Sequence, residues 1–227
     1  MCGVIGASFA DVGAYEIELV DNLILESRIR GRHATGVSYV KGGVVHTIKE
    51  HLPADEFLTK YAASDFIDDD GSLTMIGHTR YSTSSLEYNQ PIGDKTLAIA
   101  HNGVISQEPK SQWPYECETD NDSELIYQCL VSGEHPLKDF PKSSQAVVML
   151  SQDKRIAGWR NGERPLWYAC TDIQNGIVFA STANILHRVG IFNQKRCFPG
   201  TAYTFSTKDF LHMTEIVAVE HMADLQP

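Results

Sequence analysis

The chain has 227 residues, of which 42% are hydrophobic, and carries a formal net charge of -10. Its length suits one large globular domain, or two small ones at most, and its ordinary aromatic and charged fractions predict a packed core rather than disorder. The acidic balance argues against nucleic acid and anionic membranes as partners, and no window approaches the apolar length of a membrane span.

The beginning of the chain and its cysteines indicate the compartment. Residues 1–10 lack the basic segment of a secretory signal peptide. The five cysteines are irregularly spaced and include no C-x-x-C pair, so they predict neither a zinc site nor a disulfide framework. We therefore expect a cytoplasmic protein with reduced thiols.

Short apolar runs along the chain predict a strand-rich protein, and several are nearly continuous in apolar character, as in strands covered on both faces. Between two of them, Gly42-Gly43 predicts a hairpin. The predicted strands are Gly3–Phe9, Gly36–Val40, Val44–Ile48, Leu73–His78, Leu97–Ala100, Ala146–Leu150, Arg155–Trp159, Leu166–Cys170, Ile177–Ala180, Ala202–Phe205 and Glu215–Val219.

Helical periodicity occurs in two segments, Tyr15–Arg30 and Asp122–Leu130. In the first, the residues that share a face are Ile17, Val20, Ile24 and Ile29. The cap candidates of the second are Thr119, Asp120 and Asn121. An acidic stretch, Ser64–Ser72, is predicted to be a loop. Many strands and few helices predict a layered α+β domain.

Cys2 is the first residue whose chemistry stands out. Methionine is generally removed before a small side chain, and loss of Met1 leaves Cys2 with a thiol and a free α-amine. The pKa of such an amine is ordinarily about 7.7–8, so it can act as the general base toward its own thiol. Alternatively, Cys2 is a small residue that simply enters the first strand.

The segment Gly77–Thr83, G-H-T-R-Y-S-T, follows an apolar strand. Arg80 at the end of that strand can bind a carboxylate through two parallel hydrogen bonds, and Thr83 can add a hydroxyl or a backbone donor. The alternative is a surface arginine in a polar turn.

Two later segments add polar groups. Ile99–Gly103 ends in Asn-Gly, which marks either a turn or a pair of donors, the Asn102 amide and the Gly103 N–H, directed at one oxyanion. Thr119–Ile126 carries several carboxylates. They either complement a helix N-terminus or, in one case, receive a substrate ammonium.

Together these segments resemble the class II glutamine amidotransferases, a branch of the N-terminal nucleophile hydrolases. The resemblance runs from residue 1 to about residue 205, and the order of its motifs is that of the family. The matching stretches are M-C-G-V-I-G at Met1, R-G-R-H-A-T-G-V at Arg30, G-H-T-R-Y-S-T at Gly77, N-Q-P at Asn89, H-N-G at His101, D-S-E at Asp122, N-G-E-R-P-L at Asn161, F-A-S-T at Phe179 and P-G at Pro199.

The resemblance implies a four-layer αββα sandwich of two mostly antiparallel sheets, with residues 1–227 as a single domain. It implies that Cys2, freed of Met1, attacks L-glutamine through a γ-glutamyl thioester, without metal or cofactor. The implied roles are oxyanion stabilisation by Asn102 and Gly103, and substrate binding by Arg80, Tyr81, Thr83 and Asp122.

The sequence departs from the family pattern in two places and in length. His33 replaces an aspartate of many members, and Ser84 follows Thr83 where the glucosamine-6-phosphate synthase branch has histidine. Relatives usually continue into a synthase domain, so we expect the ammonia to pass to a separate synthase chain. The sequence leaves open whether the protein forms a homo-oligomer.

Two other functions remain open at this point. An N-terminal cysteine hydrolase can cleave a different amide, such as a γ-glutamyl peptide, whose amino-acid head group is the same as that of glutamine. Alternatively, the chain is a catalytically silent regulatory or scaffold subunit. His78 and His101, beside the motifs, are interpreted as structural supports rather than catalytic groups.

Overall fold

Two antiparallel sheets form the centre of the protein in the computed structural model, which describes residues 2–81, 89–162, 164–171, 176–207 and 209–216. Every strand pairing within these residues is antiparallel, as the resemblance implied. The strands are β1 (Gly3–Phe9), β2 (Ala34–Lys41), β3 (Val44–Glu50), β4 (Leu73–Arg80), β5 (Ile92–Gly93), β6 (Leu97–Val104), β7 (Ser144–Ser151), β8 (Arg155–Arg160), β9 (Trp167–Thr171), β10 (Gly176–Ala180), β11 (Lys195–Arg196), β12 (Thr201–Ser206) and β13 (Asp209–Glu215).

The order of the strands places β1 at the centre of one sheet and β6 beside the edge strand β5 of the other. The seven-stranded sheet runs β11-β9-β10-β1-β4-β2-β3, and the six-stranded sheet runs β13-β12-β8-β7-β6-β5. We call them the first and the second sheet. Strand β1 is buried along its whole length between β10 and β4, which explains its unbroken apolar run.

Helices cover the outer face of each sheet. Residues of α1 and α5 pack with the outer face of the first sheet, α3 packs against the second, and a separate apolar cluster fills the space between the sheets. The result is a four-layer αββα arrangement, in agreement with the fold class expected from the sequence. The helices are α1 (Ala14–Ser27), α2 (Ala54–Leu58), α3 (Glu124–Val131), α4 (Pro136–Asp139) and α5 (Ala183–Arg188).

Most predicted elements are present, and the differences have physical reasons. The hairpin at Gly42-Gly43 is confirmed, with both glycines at positive φ. The predicted strand Glu215–Val219 is wrong at its start, because the observed strand β13 ends at Glu215, where the prediction begins. Residues 217–219 lie outside the described part. Helix α1 ends at Ser27, so Ile29 leaves the apolar face and is 44% exposed.

The residue preceding α3 is Ser123, rather than one of the three predicted cap candidates. Thr119 and Asn121 still form local hydrogen bonds with this region: the Thr119 hydroxyl donates to Glu124, and Asn121 Oδ1 accepts from the Ser123 N–H. Within the described residues, no helix is long and apolar enough to cross a membrane.

A charged contact joins the two sheets at the end where β4 begins. The loop predicted over Ser64–Ser72 contains a 3-10 helix at Ala63–Phe66 and then turns into β4. Lys154, in the turn between β7 and β8, approaches Asp68 at 2.6 Å and Asp70 at 2.5 Å. Asp68 is only 8% exposed and also accepts from the Gly42 N–H. Lys154 therefore ties the second sheet to the loop that enters the first.

Replacement of this lysine tests the contact. We expect Lys154→Met to lower the free energy of unfolding at pH 7 by about 1–2 kcal/mol, because Asp68 is buried whereas Asp70 is screened by solvent. The exposed Lys142→Met is the matched control and should change it by less than about 0.5 kcal/mol. Urea unfolding measures both, and equal effects of the two substitutions would contradict the interpretation.

The same pair of variants has a defined pH dependence. The hydrogen bond from Lys154, together with one from Ser72, lowers the pKa of Asp70 to about 2. A lowered pKa in the folded state stabilises the protein above the unfolded pKa of about 4, and this stabilisation is lost as the pH falls toward 2. The difference between wild type and Lys154→Met should therefore be smaller at pH 3 than at pH 7.

Candidate active site

A cavity of about 470 Å³ opens where β1 begins and where β4 and β6 end. It brings together the sequence-predicted residues Cys2, Arg80, Tyr81, Asn102, Gly103 and Asp122. Thr83 and Ser84 lie outside the described residues. The other lining residues are His78, Gln90, His101, Val104, Ser106, Glu108, Trp113, Asp120, Asn121 and Ser123.

The register of the first sheet fixes the position of Cys2. Gly3 pairs with Thr79 across β1 and β4, so Cys2 follows at the level of Arg80. The Cys2 thiol lies 3.9 Å from the carbonyl oxygen of Tyr81, and Arg30 Nε donates to the Cys2 carbonyl at 3.3 Å. A Cβ on Gly3 would lie 2.4 Å from Thr79 Oγ1, so this close approach requires glycine.

The segment that carries Arg30 also supports the end of β4. A Cβ on Gly31 would lie 2.2 Å from the carbonyl carbon of Arg80, and the His33 N–H donates to the Arg80 carbonyl at 2.9 Å. The His33 ring stacks on the Tyr81 ring with 5.0 Å between centroids. Tyr81 is 53% exposed at the rim of the cavity. Residue 33, a departure from the family pattern, is therefore a neighbour of the rim.

Asn102 and Gly103, near the end of β6, line the cavity. Asn102 is only 5% exposed, and its Nδ2 has no hydrogen-bond partner among the described residues. Gly103 has φ +154°, and a Cβ there would lie 1.8 Å from the Ser144 carbonyl oxygen. A buried donor without a partner costs about 1–3 kcal/mol, and such a group is typical of a site that binds a ligand.

Asp122 contributes a carboxylate to the lining of the cavity. Its Oδ2 accepts hydrogen bonds from the N–H groups of Ile105 at 2.6 Å and Ser106 at 3.2 Å. These contacts fix the carboxylate beside the segment that follows β6. The carboxylate can then attract a cation within the cavity.

Arg30 brings positive charge close to Cys2, and Arg164 interacts in turn with Arg30. Arg30 interacts electrostatically with Cys2 and with Arg164, and burial is the main cause that lowers its pKa. Arg164 Nε donates to Ser144 Oγ at 2.7 Å. Positive charge near the thiol favours the negative charge that develops during a nucleophilic attack. No group of metal-binding side chains occurs within the described residues.

Known structures provide the comparison for this geometry. No protein-family model and no curated protein sequence matches the chain. The structure of glutamine phosphoribosylpyrophosphate amidotransferase from B. subtilis, complexed with ADP and GMP, is similar with a TM-score of 0.74 and 21% identity, over 95% of this chain and 49% of that one.

The chain has the N-terminal nucleophile hydrolase fold. A structure described as the allosteric regulatory enzyme of purine biosynthesis gives a TM-score of 0.70 at 21% identity, over 95% of this chain and 49% of that one. A glutamine aminotransferase class-II domain protein from Silicibacter pomeroyi gives 0.58 at 10% identity, over 96% and 99%. The chain thus spans about half the length of the first two structures.

The wall of the cavity in this N-terminal nucleophile hydrolase fold contains a hydrogen-bond network that sequence reasoning missed. The buried His101 Nδ1 contacts Ser123 Oγ at 2.8 Å, and Gln90 Nε2 donates to the same oxygen at 3.2 Å. The His101 N–H donates to Gln90 Oε1 at 2.6 Å, and His101 Nε2 contacts the Ser144 carbonyl at 3.1 Å. Nε2 therefore carries the ring proton, and Nδ1 accepts from Ser123.

This network links the two halves of the cavity. His101 immediately precedes Asn102 on β6, while Ser123 immediately follows Asp122 before α3. Gln90 belongs to the motif N-Q-P and Ser123 to the motif D-S-E, so the motifs marked both residues. The motifs could not show that both residues contact His101, because the contacting residues are far apart in the sequence. We infer that Ser123 fixes the separation between the Asn102 amide and the Asp122 carboxylate.

Substitution of Ser123 tests this link. Ser123→Ala leaves His101 Nδ1 without a donor and Gln90 Nε2 without an acceptor, so we expect the free energy of unfolding to fall by about 1–3 kcal/mol. Ser132→Ala, at the exposed far end of α3, is the control and should cost less than about 0.5 kcal/mol. Thermal or urea unfolding measures both, and a neutral Ser123→Ala would argue against the network.

Proposed function

We propose that residues 1–227 act as one class II glutamine amidotransferase domain that hydrolyses L-glutamine to glutamate and ammonia. The observation that carries this proposal is the single cavity shared by a thiol, an unpartnered amide donor, a guanidinium and a carboxylate. These groups match, respectively, an electrophilic carbon, its oxygen, an α-carboxylate and an α-ammonium. The fold agrees with that of the similar solved structures.

The proposed reaction begins with removal of Met1. The free amine of Cys2 then takes the thiol proton, directly or through one water, and the sulfur attacks the carboxamide carbon of glutamine. Asn102 Nδ2 and the Gly103 N–H donate to the oxyanion of the tetrahedral intermediate. Because both residues belong to strand β6, these donors would need little reorganisation when the substrate binds.

Collapse of the intermediate breaks the carbon–nitrogen bond. The ammonium of Cys2 returns its proton to the leaving nitrogen, which departs as ammonia and leaves a γ-glutamyl thioester on the sulfur. Water then attacks the thioester, the amine accepts a proton from that water, and the thiol is regenerated as glutamate forms. Each carbonyl addition passes through the same oxyanion, so the same two donors serve both halves of the reaction.

Recognition of the amino-acid head group is assigned to two charged residues in this proposal. Arg80 would hold the α-carboxylate through paired hydrogen bonds, and Asp122 would hold the α-ammonium. Thr83 would assist Arg80 in holding the carboxylate, and Tyr81 would cover the bound substrate from the rim. Since a thiol nucleophile needs to stay reduced, a cytoplasmic location suits the reaction.

The ammonia requires an acceptor. The sequence contains neither the G-x-x-x-x-G-K-[ST] pattern that cradles phosphates nor the G-x-G-x-x-G pattern that binds dinucleotides. We propose that a separate synthase chain accepts the ammonia. Co-purification with an ATP-using synthase would support this part of the proposal.

Loss of the nucleophile gives the primary test. We expect Cys2→Ala to reduce glutamate release from glutamine by on the order of 10³-fold or more. Cys170→Ala, which removes an exposed thiol, should retain wild-type activity. Mass spectrometry of the wild-type protein should show that Met1 is absent. Wild-type activity no greater than that of Cys2→Ala would end the proposal.

The head-group assignment has its own test. Arg80→Lys keeps the charge but loses the planar fork, so KM for glutamine should rise about 10- to 100-fold with a smaller change in kcat. Arg196→Lys, at an exposed position on β11, is the matched control and should leave both constants near those of the wild type. An unchanged KM in Arg80→Lys would assign the carboxylate to a different residue.

A further inference from the structure

Two buried side-chain atoms, both on residues that line the cavity, have no hydrogen-bond partner among the residues that the structure describes. Nδ2 of Asn102 is one, and Nε2 of the His78 ring is the other. Asn102 is 5% exposed and His78 is 2% exposed, so solvent satisfies neither atom well. Because buried polar atoms normally have partners, each of the two indicates a group that a ligand supplies.

His78 occupies the inner face of β4, which is turned toward the second sheet. Ile76, two residues earlier, belongs to the apolar cluster between the sheets, and side chains two apart on a strand share a face. The strand partner of His78 in β1 is Val4, which belongs to the same cluster. His78 therefore forms the floor of the cavity at the inner end, beyond Cys2 and Arg80.

The chemistry of the ring defines what Nε2 offers. Nε2 is a buried ring nitrogen without a hydrogen-bond partner among the described residues. Burial is the main cause that lowers the pKa of His78 to about 3, so the ring is neutral near pH 7. A neutral imidazole carries one ring proton, and with that proton on Nδ1 the Nε2 atom presents a lone pair that accepts a hydrogen bond.

We propose that His78 Nε2 accepts a hydrogen bond from the carboxamide NH₂ group of the substrate and so selects a primary amide at the reaction centre. This inference rests on the proposed function. The donor at Asn102 and the acceptor at His78 complement the two ends of a primary amide, which are a carbonyl oxygen and an N–H group. An ester or a carboxylate in the same place supplies no N–H donor.

The same contact bears on the release of product. Glutamate carries a carboxylate where glutamine carries the amide, and its oxygens would face the lone pair of His78. A site with an acceptor at this position therefore binds the product less well than the substrate, because specificity follows from the buried groups left unpaired.

Two substrates with the same acyl group separate this role from a structural one. Glutamine and glutamate γ-methyl ester differ in the leaving group, and only glutamine has an N–H donor. We expect His78→Leu to lower kcat/KM for glutamine about 10-fold or more and kcat/KM for the ester by less than about 3-fold. His78→Gln, whose amide oxygen can take the place of Nε2, should restore much of the preference for glutamine.

Asn102→Ala is the control, because the oxyanion forms from both substrates and the two values should fall together. The ratio of kcat/KM for the two substrates is measured on one preparation, so it does not depend on the fraction of folded protein. An equal loss for both substrates in His78→Leu and His78→Gln would overturn the inference. A wild-type protein that cleaves neither substrate faster than Cys2→Ala would instead overturn the proposed function.

Discussion

The burial of β1 in the middle of the first sheet is the constraint on which the site depends. Because β10 and β4 hydrogen-bond to its two edges, the strand cannot slide without breaking both ladders. The Val4 N–H also donates to Ser181 Oγ, and the Ser181 N–H donates to the Val4 carbonyl. Cys2, which precedes this strand, is consequently held in a fixed position beside the end of β4.

Close backbone packing also fixes the other segments around the cavity. Gly3, Gly31 and Gly103 each lie where a Cβ would meet a neighbouring atom within 2.4 Å. Residues that flank these glycines are Cys2, Arg30 and Asn102, so side chains with polar groups are carried on segments with little freedom to move. Tight backbone contacts thus serve as the scaffold of a polar site.

The sequence could predict most of the strands, because a strand covered on both faces needs a continuous apolar run, and β1 has one without interruption. Strand β13 was misplaced because Asp209–Glu215 mixes charged and polar residues with apolar ones. The short helices α4 and α5 contain too few residues for a helical period to show. The side chains predicted from the motifs line one cavity within the described residues. The link between Gln90, His101 and Ser123 could not be predicted, because it depends on distances between segments that only the folded chain brings together.

The contact of Lys154 with Asp68 and Asp70 lies at the end of the sandwich where β4 begins, whereas the cavity lies where β4 ends. Strand β4 has eight residues, and a strand of that length spans roughly 25 Å, several times the distance over which physiological salt screens a charge. The charges of Lys154, Asp68 and Asp70 are therefore too far from the cavity to change its electrostatic potential directly. The strength of this attachment between the sheets and the charge balance of the cavity are, for this reason, two separately adjustable properties.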